Sequence, residues 1–147
     1  GAWSVVRRMY PEADIPVVQV SLDVQRGPEE HYAIARSMAP LRENNVLILA
    51  SGNIVHNLPV FFRTRTLEPW VQSFDDFVTG AAAKGDDAAV LKYASRPEAV
   101  EAASDWEHFF PVFYALGARR EGETAHVFNR RYDPGISMTS FGYGLAA

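Results

Sequence analysis

The chain has 147 residues, enough for one domain with a substantial hydrophobic core, and its composition of 48% hydrophobic and 22% charged residues is that of a globular protein. Its 14 basic and 18 acidic residues give a net charge of −4 without an extended basic cluster, which argues against nucleic-acid binding. The absence of cysteine excludes disulfides, thiolate metal sites and cysteine nucleophiles, and is compatible with a cytoplasmic setting. No apolar run approaches the roughly 20 residues of a transmembrane helix, so we expect no membrane association.

The first third of the chain predicts a strand, a helix and a second strand. Residues 16–23 (PVVQVSLD) are rich in β-branched residues and indicate a buried strand. Residues 27–30 (GPEE) begin a helix, with an early proline and acids in the first turn, and Asn44 and Asn45 end it. Residues 46–50 (VLILA) form a continuous apolar run, typical of a strand covered on both faces. The short connections indicate a βαβ unit with parallel strands.

The rest of the chain predicts mostly helices and then two strands. Residues 51–69 contain turn signals and predict a loop, whereas Trp70 to Ala83 have the spacing of an amphipathic helix. The remaining predicted elements are a short helix capped by Asp87 that continues through Ala94, a helical stretch that restarts at Arg96-Pro97, a helix from about Asp105 to Leu116, and strands at 124–130 and 136–143. Pro111 could either kink the 105–116 helix or start the helix that follows it. This order indicates an α/β domain with a mixed central β-sheet flanked by helices.

Four histidines are the first candidates for metal binding or acid–base chemistry near neutral pH. His31 lies beside the apolar stripe of its helix and His126 in a short strand, which favours a packed role for the first and a surface position for the second. His56 follows the carboxyl end of a predicted buried strand, where ligands bind in open α/β sheets, and functional and structural roles both stay open. His108 lies at or just before a helix start, where surface histidines are common.

Short catalytic motifs do not help to choose between these roles. The sequence contains no HExxH motif, no G-x-S-x-G nucleophile turn and no phosphate-binding loop of the Walker type. Any metal site must therefore be assembled from residues that are distant in the sequence.

Four segments in this order carry a resemblance to a known family: residues 10–23 (YPEADIPVVQVSLD), 41–58 (LRENNVLILASGNIVHNL), 107–118 (EHFFPVFYALGA) and 135–144 (GISMTSFGYG). They resemble the class III extradiol ring-cleavage dioxygenases, and within them the 4,5-DOPA dioxygenase type. The resemblance extends over essentially the whole chain. It implies that residues 1–147 form the C-terminal half of a larger single domain.

The resemblance also implies an activity and a set of site residues. The expected reaction is metal-dependent extradiol cleavage of a catecholic, DOPA-like ring by O2, with Fe(II) as the cofactor and zinc as another metal that the site could bind. His108 is the implied metal ligand. His56 is the implied acid–base group beside the metal, and it can approach metal-binding distance when no substrate is present. Asn53 and Asn57 could fix the loop around His56 or bind substrate.

The chain departs from the family in its length, which is about half that of the members. Two further metal-binding histidines belong to the N-terminal half, and the family pattern places an Asp-His pair directly before the Gly1-Ala2-Trp3 that opens this chain. We therefore expect the isolated chain to be inactive and to need the N-terminal half as a partner. Two alternatives stay open: a non-catalytic binding or scaffold protein with the same fold, and a zinc hydrolase that uses His56 and His108.

Overall fold

Helices account for most of the regular structure in the computed structural model. The structure describes residues 2–145. Gly1, Ala146 and Ala147 lie outside the described residues, and so does the expectation about the opening of the chain at Gly1. The α-helices are α1 (Ala2–Met9), α2 (Pro28–Met38), α3 (Leu58–Arg63), α4 (Pro69–Lys84), α5 (Asp87–Leu91), α6 (Ala99–Ala102), α7 (Trp106–Phe109) and α8 (Pro111–Gly117), with 3₁₀ turns at Ala39–Asn44 and Tyr93–Ser95. No helix in residues 2–145 is long and apolar enough to cross a membrane.

Among residues 2–145, four short strands form two small sheets. They are β1 (His126–Asn129), β2 (Tyr132–Asp133), β3 (Ile136–Ser137) and β4 (Ser140–Gly142). Strand β1 pairs with β4 and β2 with β3, both antiparallel. The predicted α/β class is confirmed, because helices and sheets are combined in one chain. Within residues 2–145, however, the strands do not join into one mixed central sheet.

The two predicted parallel strands are the main correction to the sequence analysis. Residues 16–23 and 46–50 belong to no helix or ladder, so the predicted βαβ unit is not formed among the described residues. Both segments also expose apolar side chains: Val18 is 87% exposed and Leu47 is 56% exposed. A strand requires a neighbour to pair its backbone N–H and C=O groups, and no described segment provides one here. Their apolar composition still indicates surfaces that favour burial.

The core is built around helix α4 and the aromatic side chains of α7 and α8. Val71, Phe74 and Val78 form the fully buried face of α4 and belong to the same cluster as Phe109 and Phe113. The rings of Phe74 and Phe109 are 5.5 Å apart, and those of Phe109 and Phe113 are also 5.5 Å apart. This packing holds α7 against the core and so fixes the position of the segment that carries His108.

Helix α4 confirms the amphipathic pattern predicted for Trp70 to Ala83, but the predictions around it need correction. The short helix ends at Leu91 and not at Ala94, and its cap is Asp86, whose carboxylate accepts a hydrogen bond from the backbone N–H of Ala89 at 3.1 Å. The predicted loop at 51–69 contains helix α3. Pro59 suits the first turn of this helix because that position needs no N–H donor.

The predicted helix at 105–116 is two helices, because α7 ends before Phe110 and Pro111 begins α8. Proline has no N–H to continue the hydrogen bonding of α7, yet it is well suited to the first position of a new helix. The predicted strand at 136–143 is likewise divided into β3 and β4.

A largely buried ion pair joins the 3₁₀ turn after α2 to the segment before β1. The guanidinium of Arg42 donates to both carboxylate oxygens of Glu123, at 2.6 and 2.8 Å, and also to the carbonyl of Ala118 at 2.9 Å. These hydrogen bonds from Arg42 hold the pKa of Glu123 below its usual range, against the opposing effect of burial. The folded state therefore favours the ionised carboxylate.

We expect Glu123→Gln to lower the free energy of unfolding at pH 7 by about 1.5–3 kcal/mol, because an amide cannot accept both guanidinium hydrogen bonds. A depressed carboxyl pKa contributes stability above the unfolded value of about 4.3 and loses it as the pH falls through the lower folded value. The difference between variant and parent should therefore shrink towards about pH 3. Urea unfolding at both pH values measures this, with the exposed Glu12→Gln as a control. Equal losses for the two variants at pH 7 would contradict it.

Candidate metal centre

The imidazole rings of His56 and His108 lie against each other in the structure. Their centroids are 3.8 Å apart and their planes differ by 3°. His56 precedes helix α3, whereas His108 lies in α7. The resemblance implies that His56 lies beside the metal that His108 binds, which requires the two histidines to be close in space. This proximity is confirmed, and their chemical roles stay predictions.

Backbone hydrogen bonds of the 52–57 loop bring the two histidines together. The N–H of Asn53 donates to the carbonyl of His108 at 2.7 Å, and the N–H of His56 donates to the carbonyl of Ala102 at 2.9 Å. A Cβ on Gly52 would overlap that same His108 carbonyl oxygen and would lie 3.0 Å from Pro111. The loop and α7 can therefore approach this closely only because residue 52 is glycine.

Asp105 completes a group of three side chains that could hold a metal ion. Its Oδ2 lies 3.3 Å from Nδ1 of His56 and 3.1 Å from Nδ1 of His108. The sequence analysis did not select Asp105 as a site residue. The only sequence signal is the spacing Asp-x-x-His at 105–108, which is common in helix starts and carries little information.

The local environment favours the neutral form of His56. Its side chain is 12% exposed, whereas those of Asp105 and His108 are 42% exposed. Burial lowers the pKa of His56 below its ordinary value, and the neighbouring His108 lowers it further, while Asp105 acts in the opposite direction. A neutral imidazole at pH 7 can bind a metal ion or accept a proton.

These residues fit a metal ion in their chemistry and in part of their geometry. Two imidazoles and one carboxylate are the donor set of non-haem iron sites. Both Nδ1 atoms are buried, and their one polar neighbour in the described structure is the Asp105 carboxylate, with which they make no well-aligned hydrogen bond. Such atoms are available to a metal ion. The nitrogen–oxygen separations are similar to those between adjacent ligands at metal distances of about 2.1 Å. Because the rings are parallel, however, they must rotate apart before both nitrogens can be directed at one ion.

Asn53 and Asn57 both make hydrogen bonds that shape the loop. The Asn53 amide donates to the carbonyl of Ser137 at 2.8 Å. Asn57 caps α3 by accepting from the N–H of Val60 at 3.0 Å, and it donates to the carbonyl and carboxylate of Glu101, both at 3.0 Å. The predicted role in fixing the His56 loop agrees with these contacts. Direct substrate binding by either asparagine stays a prediction.

The other two histidines lie outside this centre. His31 is fully buried, and its ring nitrogens lie 3.1 Å from the Tyr114 hydroxyl and 3.2 Å from the Asp23 carbonyl. His126 is exposed at the start of β1. The predictions of a packed His31 and a surface His126 are confirmed.

Comparison with known proteins identifies the family. The family model for the catalytic LigB subunit of aromatic ring-opening dioxygenase matches residues 1–142. The chain belongs to this family. The match includes His56, Asp105 and His108, and it confirms the class of protein indicated by the sequence resemblance.

This chain covers only part of the length of its named relatives. The chain is 35% identical to a 4,5-DOPA dioxygenase extradiol of Beta vulgaris over 92% of its own residues and 52% of the relative. It is 33% identical to the protein of that name from Escherichia coli K12, over 80% of this chain and 45% of the relative. A crystal structure of an uncharacterized protein from E. coli K12 has a TM-score of 0.86 and 31% identity, covering 96% of this chain and 60% of that one. The chain thus spans about half the length of these curated relatives.

We expect Gly52→Ala to separate the loop from α7 and to destabilise the protein by about 1–3 kcal/mol through steric overlap. The matched control is Gly80→Ala, because a Cβ at Gly80 would meet nothing within 4 Å and alanine favours a helix such as α4. Urea unfolding measures stability, and the NMR signals of the His56 and His108 rings report their stacking. Unchanged ring signals in Gly52→Ala would contradict the argument from close approach.

Proposed function

We propose that this protein supplies part of the active site of a metal-dependent extradiol dioxygenase, which uses O2 to open a catecholic, DOPA-like ring. The observation that carries the proposal is that the rings of His56 and His108 are stacked and that the carboxylate of Asp105 lies close to both. Membership of the LigB family supports the reaction class. The absence of cysteine fits the cytoplasmic location that we propose for it.

His108 and Asp105 are the residues that we propose as metal donors, with His56 available as a third donor when substrate is absent. Fe(II) is the proposed cofactor, because this donor set suits non-haem iron, and zinc can occupy similar ligands. When bound, the iron supplies the Lewis-acid and redox chemistry that ring cleavage by O2 requires. The protein contributes by placing these three donors in one small volume.

His56 is the proposed acid–base group for the catechol. A catechol must lose protons to bind a metal through both oxygens, and neutral imidazole is a suitable acceptor near pH 7. A neutral imidazole carries one unprotonated ring nitrogen, which can accept a proton. The resulting imidazolium would face the carboxylate of Asp105, whose Oδ2 is 3.3 Å away. This opposite charge stabilises the protonated form during transfer.

The missing part of the site is proposed to come from the N-terminal half of the same enzyme. The chain covers 52% and 45% of the two dioxygenases named above. Val18 and Leu47 lie in segments that expose apolar side chains and that pair with no described strand. Apolar segments without a partner strand can pair with another segment. These segments are the surfaces on which we expect the N-terminal half to complete the sheet.

We expect His56→Ala and His108→Ala in the full-length protein to lower Fe(II)-dependent cleavage of a catechol, measured by the absorbance of the yellow product. Loss of an acid–base group reduces rates by about 10²–10⁴-fold, so His56→Ala should fall in that range. His108→Ala should also weaken metal binding, measured by titration. The exposed His126→Ala serves as the control and should retain activity. Product from neither parent nor variants would favour a non-catalytic scaffold with this fold.

We expect the 147-residue chain alone to produce no ring-cleavage product with Fe(II), catechol and O2. Activity should appear when the N-terminal half is supplied as a second polypeptide, and it should depend on His56 of this chain. Because the exposed apolar segments would then be buried, binding of a hydrophobic dye should decrease on mixing. Full turnover by the chain alone would show that it contains a complete site.

A further inference from the structure

We propose that Asp75 is a positioning residue for the His56–His108 pair. This inference deepens the proposed function and rests on it for its meaning in catalysis. Asp75 lies in helix α4 and is 0% exposed. It belongs neither to the group of possible metal donors nor to the two predicted site loops. A carboxylate buried in this way is costly unless several donors satisfy it, so its hydrogen bonds indicate which segments it holds.

The donors to Asp75 come from both strands of the β2–β3 hairpin (residues 132–137). The Tyr132 hydroxyl donates to Oδ2 at 3.0 Å, and the Ser137 hydroxyl donates to Oδ1. Tyr132 and Ser137 are opposite each other in the ladder. Arg130 approaches Oδ2 at 3.6 Å and offsets the buried charge. One carboxylate therefore fixes the hairpin to α4 at a single cross-strand pair.

The hairpin in turn holds the 52–57 loop. The N–H of Ser137 donates to the carbonyl of Val55 at 3.1 Å, and the carbonyl of Ser137 accepts from the Asn53 amide at 2.8 Å. The neighbouring residue, Ile136, forms an antiparallel bridge with His56. Since Asn53 also donates its N–H to the His108 carbonyl, Ser137 connects through this loop to both histidines.

A carboxylate suits this junction better than an amide. Asp75 accepts from two hydroxyls and attracts an arginine, whereas an asparagine would direct an NH2 group at one of these donors. The Ser137 hydroxyl already accepts a hydrogen bond from the N–H of Thr139 at 3.2 Å. Whichever of Tyr132 and Ser137 the NH2 group faced, the O–H of that residue would lose its acceptor on residue 75. Asp75→Asn should therefore loosen the link between α4 and the hairpin while leaving the side-chain volume almost unchanged.

A second buried cluster provides a matched control. Asp87 accepts from the Tyr32 hydroxyl at 2.8 Å and from Arg119 at 2.9 Å, so it also joins a buried carboxylate to a tyrosine and an arginine. None of its hydrogen bonds in the described structure reaches the 52–57 loop or the β2–β3 hairpin. Asp87→Asn should cost stability in a similar way without moving the histidines.

The test compares parent, Asp75→Asn and Asp87→Asn in the full-length protein, with two measurements. Titration with Co(II), followed by its visible absorption, gives metal affinity; we expect a loss of about 10–100-fold for Asp75→Asn, as for other residues that orient metal ligands. Asp87→Asn should stay within about twofold of the parent at comparable unfolding midpoints. NMR of the metal-free protein should show shifted His56 and His108 ring signals only in Asp75→Asn.

The two measurements separate failure of this inference from failure of the proposed function. If the parent binds no Co(II) through His56 and His108, the proposed metal centre is wrong, and the ring signals alone decide the role of Asp75. Unchanged ring signals in Asp75→Asn, or equal changes in both variants, would overturn the positioning role. Restoration of the signals by Asp75→Asn combined with Ser137→Ala would also overturn it, because that double variant still lacks the link.

Discussion

The contact between the 52–57 loop and helix α7 is the constraint on which the candidate site depends. Two backbone hydrogen bonds, from Asn53 to His108 and from His56 to Ala102, place residues from distant parts of the sequence side by side. Because these bonds use main-chain atoms, most side-chain changes leave them intact. Gly52 is one exception, since its missing Cβ is what allows the His108 carbonyl to come so near. The geometry of the histidines therefore depends more on backbone fit than on the rings themselves.

Sequence patterns predicted the parts of the fold that depend on local interactions. Helix α4 has a repeating apolar face within its own residues, so its position could be read directly. The segments 16–23 and 46–50 are different, because an apolar run indicates that a surface favours burial without saying which segment will cover it. In the structure no described strand pairs with them. For the predicted 105–116 helix, the sequence left open whether Pro111 kinks the helix or begins a new one, and in the structure Pro111 begins α8.

The candidate site shows the same limit on prediction. The resemblance to the dioxygenase family selected His56 and His108, and the structure places their rings 3.8 Å apart. Asp105 was missed because Glu101, Asp105 and Glu107 are all close to His108 in the sequence, and nothing in residue type separates them. Only the fold brings Oδ2 of Asp105 close to both imidazoles. No sequence pattern indicates the role of Asp75, because its contacts depend on a hairpin that lies about sixty positions later.

The site is firmly held on one side and open on the other, and this asymmetry bears on proton transfer in the proposed enzyme. His56 is mostly buried and fixed by its backbone, whereas Asp105 and His108 remain 42% exposed. Covering them with substrate or with the N-terminal half would strengthen both the cost of charging His56 and the attraction of Asp105 for that charge. An imidazole that accepts a proton must be neutral before the transfer, and its positive charge must be stabilised afterwards. Burial provides the first condition and Asp105 the second, so the carboxylate is needed even where an imidazole alone could bind the metal.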